Sequence, residues 1–518
     1  MTDGLVNARK GRRSRRRYVL PLLIALVALS ADLRLVDLDR NPPELFEDEL
    51  SGDVSAWSIA TTGHDVERTV LPFMVTRLEL KQPIYFLTTI PFQAVLGHGT
   101  LALRLPAVLF GVAATLLMVW LLAILRAAMR VALIGGFLFA ISPWAIHYAR
   151  AGWEPASFLP FAMSGIGLLW LGLRDHRPRL TVVAAIVFAF GAYTYHPALL
   201  MNVVMAATVV LIRVRSLRRP DLVALGVGAA IALVILVPYG LAAMDPIFTA
   251  RTRGLSVFRD GVNIDALTLA WSNYWAQWSP GFLLGGAAPN PRINPGPLVY
   301  IWTIPFFLAG LDRLLHRRRP EDVLWLAWLV LGALPAALAD DQTTPHAARG
   351  LLVLPALTAI TAIGLGRGLT FVRTHTGEYA SRAALAAGAA LVAVAIAGVV
   401  TFYSYYLGAY VARSANFWGY GSAAAIRTAA SLVPAGGTLC IANPDISGLT
   451  FAHHMALYLP SPDFTVVKGV ADPRCQQPGT YLLALVDRDL GPAVQRKATI
   501  PDYVGQPKFV VVQVPPTS

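Results

Sequence analysis

The run Phe46-Glu47-Asp48-Glu49 follows the first apolar segment of the chain by about ten residues. An adjacent Asp-Glu pair at the rim of a membrane protein suggests chemistry, because a carboxylate held there can take a proton from an attacking group. The same loop carries Asp53, His64, Asp65, Glu67, Arg68, Arg77, Glu79 and Lys81, so acids and cations crowd into about 35 residues. A solvated loop beside a membrane is polar too, and density alone leaves both readings open.

The elements that must hold these side chains are membrane helices. Over 518 residues the chain is 56% hydrophobic and 14% charged, with a mean hydropathy of +0.56, which excludes an ordinary soluble protein. The formal charge of +13 lies mostly in short Lys/Arg clusters between apolar runs, the pattern of topogenic charge and not of nucleic-acid binding. Apolar runs fall near 18–38, 101–125, 131–147, 156–173, 180–196, 198–213, 221–243, 297–312, 322–339, 350–366 and 384–408, about 11 spans in all, several of them short.

Charge gives the expected orientation. Basic clusters at the N-terminus, at Arg126 and Arg130, at Arg174 to Arg179, at Arg213 to Arg219, at Arg317 to Arg319 and at Arg367 to Arg382 belong on the cytoplasmic side. The stretch Ile84 to Gly97 is short for a span and reads as interfacial or re-entrant. The N-terminus is then cytoplasmic. Loops at about 39–100 and 244–296 and the C-terminal segment lie outside.

The segment 410–518 changes character. Strand-like runs at 437–441, 464–467, 481–486 and 509–512, with helical patches near 420–433 and 449–458, predict a small soluble α/β domain beside a transmembrane domain over 1–409. Both cysteines, Cys440 and Cys475, fall in it. They could pair in a disulfide-permissive compartment or stay as buried thiols.

The ordered series Leu33-Arg34-Leu35, Pro42-Pro43, Asp48-Glu49, Lys81-Gln82-Pro83-Ile84-Tyr85 and Leu103-Arg104-Leu105-Pro106 resembles the C-type (GT-C) integral membrane glycosyltransferases. Within that superfamily it looks most like the protein O-mannosyltransferases and the bacterial lipid A aminoarabinose transferases. The resemblance is clearest over about 30–160; Gln82 stands where the usual motif has its first proline. It implies a polytopic α-helical membrane protein in a bacterial inner membrane that moves a sugar from a polyprenyl-phosphate carrier to an acceptor hydroxyl of a lipid, glycan or protein at the outer face, usually with inversion. It also implies phosphate contacts at Lys81 and Arg104.

That chemistry needs one carboxylate to accept the acceptor's proton and cations to neutralise the departing phosphate. Asp48 is the candidate base, with Glu49 placed to position the acceptor or neighbouring cations. Glu154, after His147-Tyr148-Ala149-Arg150, is a possible second carboxylate, and His346 with Arg349 forms a second basic pair. Asp340 and Asp341 with Asp48 and Glu49 could share a hard cation, but no ligand spacing brings them together, and neither metal nor other cofactor is expected. The competing reading is a transporter or flippase that moves lipid-linked sugar unchanged. It would favour intramembrane charge pairs and repeat symmetry over charge gathered in outside loops.

Overall fold

A backbone in hydrocarbon has no water to bond, so apolar runs of this length fold as helices. The computed structural model describes residues 2–65, 81–244, 246, 250, 253–285, 290–340, 343–375, 380–442, 459, 462–488, 490 and 494–515. The expected helical patch at 449–458 lies outside the described residues, as do Glu67, Arg68, Arg77, Glu79 and Asp341. Each of the eleven apolar runs overlaps at least one helix, and 131–147 and 322–339 each cover two. Among the described residues eight helices are long and apolar enough to cross a membrane, from Tyr18–Leu35 to Ser381–Tyr406. Met129–Ile141, Pro178–Gly191 and Ile304–Arg317 are shorter. The run placed at 297–312 is shifted: its helix begins at Ile304, with Pro305 in the first turn, and ends at Arg318 in the left-handed region. The stretch Ile84 to Gly97 forms two short helices, Pro83–Leu87 and Ile90–Leu96.

The chain divides into two compact units: one of 1–36, 104–289 and 293–405, the other of 37–103, 290–292 and 406–518. In the first, Pro155–Arg174 is the most enclosed span, whereas Ser381–Tyr406 has few fully buried residues. Helices Ile304–Arg317 and Val353–His375 meet through glycine. A Cβ at Gly310 would fall 2.0 Å from the Ile360 carbonyl oxygen and one at Gly364 1.8 Å from that of Phe306. Small residues are what allow helix backbones to approach this closely in a membrane. Gly364→Ala is therefore expected to cost about 1–3 kcal/mol by overpacking. Melting of the purified protein in detergent should show the loss, while Gly226→Ala and Gly240→Ala, where nothing lies within 4 Å of the new Cβ, should be neutral.

In the second unit a mixed five-stranded sheet has the order β2-β1-β3-β5-β4. Its strands are β1 Thr438–Ile441, β2 Thr465–Lys468, β3 Tyr481–Leu485, β4 Gln495–Pro501 and β5 Pro507–Gln513. β1 runs parallel to β2 and β3, and β5 runs antiparallel to β3 and β4. Strand alternation builds two apolar faces. Leu439, Ile441, Leu483, Phe509 and Val511 pack with Ala425, Ile426 and Ala429 of helix Ser422–Leu432, while Cys440, Leu482, Ala484, Val510 and Val512 line the other face. There Cys440 and Cys475 form a disulfide, Cα to Cα 5.8 Å. Closing a loop of this length is worth about 3–4 kcal/mol on the chain-entropy account.

Candidate active site

Phe46 is extended and caps helix Glu47–Thr62. Glu49 is buried, and its Oε2 accepts the Phe46 N–H at 3.0 Å, closing the first turn as an N3 glutamate does. Three acids in that turn suit the positive end of the helix dipole. The adjacent Asp48 is thereby held at a fixed, partly open site, its side chain 34% exposed.

Two cations meet Asp48. Lys81, whose side chain is only 4% exposed, bonds Oδ1 through Nζ. Arg292 approaches Oδ2 with Nη1 at 3.5 Å. Lys81 is brought in by the Pro83–Leu87 turn, whose Phe86 ring presses on Gly52 so closely that a Cβ there would lie 2.3 Å from the ring. Tyr85 anchors the same turn by donating to the Leu103 carbonyl at 2.7 Å. Arg292 lies with its guanidinium 3.4 Å over the Phe46 ring centroid, and its backbone N–H donates to Asn290 Oδ1 at 3.0 Å. Phe46 in turn meets Trp418 edge-on at 6.4 Å. Asn41 Nδ2 donates to the Tyr406 carbonyl at 2.8 Å, so the first loop and the start of the C-terminal segment share this unit. Arg292 escaped the sequence reading because a lone arginine in Pro291-Arg292-Ile293 carries no spacing signal.

One turn along the helix, Asp53 is buried and accepts from Gln93 Nε2, which also bonds the Asp53 carbonyl at 3.1 Å. Burial pushes its carboxyl above the usual range, and hydrogen bonds from His98 and Gln93 offset part of the effect. For a raised acid the folded state holds the proton longer than the unfolded chain. The resulting stability is present below the ordinary aspartate value and is lost as pH rises through the folded one. Asp53→Asn removes the charge and keeps an acceptor for Gln93. It is expected to raise Tm at pH 8 by about 2–4 °C, the shift that ~1 kcal/mol gives, with the gain fading towards pH 4; melts across that range would check it.

The other candidates belong to the first unit. Arg104 is fully buried in helix Thr100–Ile124. Glu154 is half-buried at the N-cap of Pro155–Arg174. His346 is buried, its N–H donating to Gln277 Oε1 at 3.3 Å, and its Nδ1 accepts the Arg349 N–H at 3.4 Å. Asn294 bonds both the Pro345 carbonyl and the Ala347 N–H, fixing this turn. Arg34 and Arg150 are buried as well. Arg34 Nη1 donates to the Ser30 and Ala140 carbonyls, and Arg150 Nη1 to the Arg34 carbonyl at 3.0 Å. Asp340 is ion-paired with Arg259 at 2.9 Å. Among the described residues no three His, Cys, Asp or Glu side chains gather in a metal-binding group.

No family model matches this sequence, and no curated protein does either. The match comes from shape. The crystal structure of ArnT from Cupriavidus metallidurans bound to undecaprenyl phosphate superposes with a TM-score of 0.56 at 14% identity, covering 95% of this chain and 98% of that one. The apo form of the same protein gives 0.56 at 15% identity, with 94% and 97% covered. The fold is that of ArnT. The helical membrane protein with a small C-terminal sheet domain expected from the sequence is what the structure has, and the likeness in fold to ArnT extends through almost the whole chain.

Proposed function

We propose that the protein is a glycosyltransferase that moves a sugar from a polyprenyl-phosphate carrier to an acceptor hydroxyl at the outer face of the membrane, with inversion. The observation that carries this reading is Asp48 held between Lys81 and Arg292. The fold shared with a protein solved bound to undecaprenyl phosphate supports it.

In the proposed reaction the acceptor hydroxyl gives its proton to Asp48 as its oxygen bonds the anomeric carbon. The bond from that carbon to the phosphate oxygen breaks on the opposite side and leaves its electron pair on the phosphate. Lys81 and Arg292 take up the charge that develops there. For Arg104, Glu154, His346 and Arg349, which belong to the other unit, the proposal is a separate part in holding substrate. Without donor, the two cations are occupied by Asp48. An arriving phosphate competes for them, so donor binding releases the base for the acceptor.

The basic clusters support a cytoplasmic N-terminus and an extracytoplasmic domain over 410–518. A reporter fused within 253–285 that reads out as cytoplasmic would overturn this orientation. The reaction is tested with purified protein and a panel of polyprenyl-phosphate hexoses and pentoses, following products by mass spectrometry. Release of polyprenyl phosphate from at least one donor, dependent on an acceptor fraction, is expected; an inert panel would count against the donor class.

A further inference from the structure

Away from these residues, in the first unit, two connections far apart in sequence converge on one cavity of about 250 Å³. The turn between helices Thr100–Ile124 and Met129–Ile141 brings Arg126, and the first turn of Met129–Ile141 brings Arg130. The last turns of helix Ile304–Arg317 bring Arg313 and Arg317, and the connection to Pro320–Leu331 brings Arg319. Two carboxylates, Glu321 and Asp322, also line it, so five cations face two anions. Arg126 pairs with Glu321 at 3.4 Å and Arg317 lies 3.8 Å from Asp322. Arg130 donates to the Thr370 hydroxyl at 3.1 Å. Among the described residues Arg130, Arg313 and Arg319 have no side-chain ion pair with a carboxylate. Orientation needs basic residues near helix ends, but it does not need five of them to line one recess.

An excess of guanidinium groups over carboxylates around one recess favours an anion, and the fork geometry of arginine suits phosphate oxygens. The position favours a lipid. The cavity lies where several spans end, its wall includes Leu125, Val131, Trp325 and Ile363, and Met129, Leu315 and Phe371, within two residues of lining positions in sequence, are exposed apolar side chains. We propose that this cavity binds the phosphate headgroup of an anionic phospholipid, with the acyl chains lying along the exposed apolar surface. The proposal does not depend on the sugar-transfer reaction.

The test uses the full chain in detergent, with phosphatidylglycerol or phosphatidylcholine added and binding read by native mass spectrometry. The triple variant Arg130→Gln/Arg313→Gln/Arg319→Gln removes cations that pair with neither carboxylate. Phosphatidylglycerol should bind the wild type in preference to phosphatidylcholine and bind the triple variant at least tenfold more weakly. Arg177→Gln/Arg179→Gln/Arg215→Gln, which removes as much charge from other basic connections, should bind like the wild type. If the triple variant does not fold, Arg313→Gln alone should show at least a threefold loss. Equal binding by wild type and the cavity variants overturns the site; displacement of the lipid by millimolar inorganic phosphate overturns the lipid as its occupant.

Discussion

Asp48→Asn is expected to lower sugar transfer by roughly 10²- to 10⁴-fold, the contribution of a positioned general base. The substitution preserves shape and a hydrogen-bonding side chain but cannot accept the acceptor's proton. The helix should survive it, because the first-turn capping bond comes from Glu49 and not from Asp48. Donor affinity should hold or rise, since Lys81 and Arg292 would no longer be shared with a carboxylate. Glu49→Gln is expected to act differently, with a loss of helix stability and a smaller loss of rate, because a neutral amide caps the first turn less well. Rates measured at saturating and at limiting donor separate the two: Asp48→Asn should fall in kcat, with KM unchanged or lower.

Lys81→Ala and Arg292→Ala are each expected to lower turnover more than tenfold, because a loss of about 1.4 kcal/mol of transition-state stabilisation gives that factor. The double variant should be far less than additive if both cations act on one phosphate oxygen cluster. Arg292→Lys is a sharper probe than alanine. It keeps the charge but loses the planar fork that lies over Phe46 at 3.4 Å, so it should remain impaired. Arg104→Ala should fall by a similar factor. Near-normal turnover in that variant would assign Arg104 to anchoring its buried helix.

The fold was largely legible because membrane helices advertise themselves by length and hydropathy. Four of the five strands were legible too, since β1, β2, β3 and β5 are apolar on one or both faces. The strand β4 was missed for a physical reason. It is an edge strand whose Gln495, Arg496 and Lys497 are exposed, and edges are kept polar to avoid pairing with other chains. In the site, Asp48 and Lys81 were legible through motif order. Their contact was not, because Lys81 reaches Asp48 from 33 residues away through tertiary packing. Arg292 shows the limit more plainly: its meaning comes from Phe46 and Asp48, and no local pattern around it points to either.

The most direct measurement reconstitutes wild type and Asp48→Asn in proteoliposomes with a polyprenyl-phosphate sugar on one side and an acceptor available, and follows both the carrier and the sugar by mass spectrometry. Sugar transfer by Asp48 chemistry predicts that wild type releases free polyprenyl phosphate in step with a glycosylated acceptor, and that Asp48→Asn binds donor but releases almost none. Intact donor crossing the bilayer with no carrier released, or equal transfer by the two proteins, would contradict it.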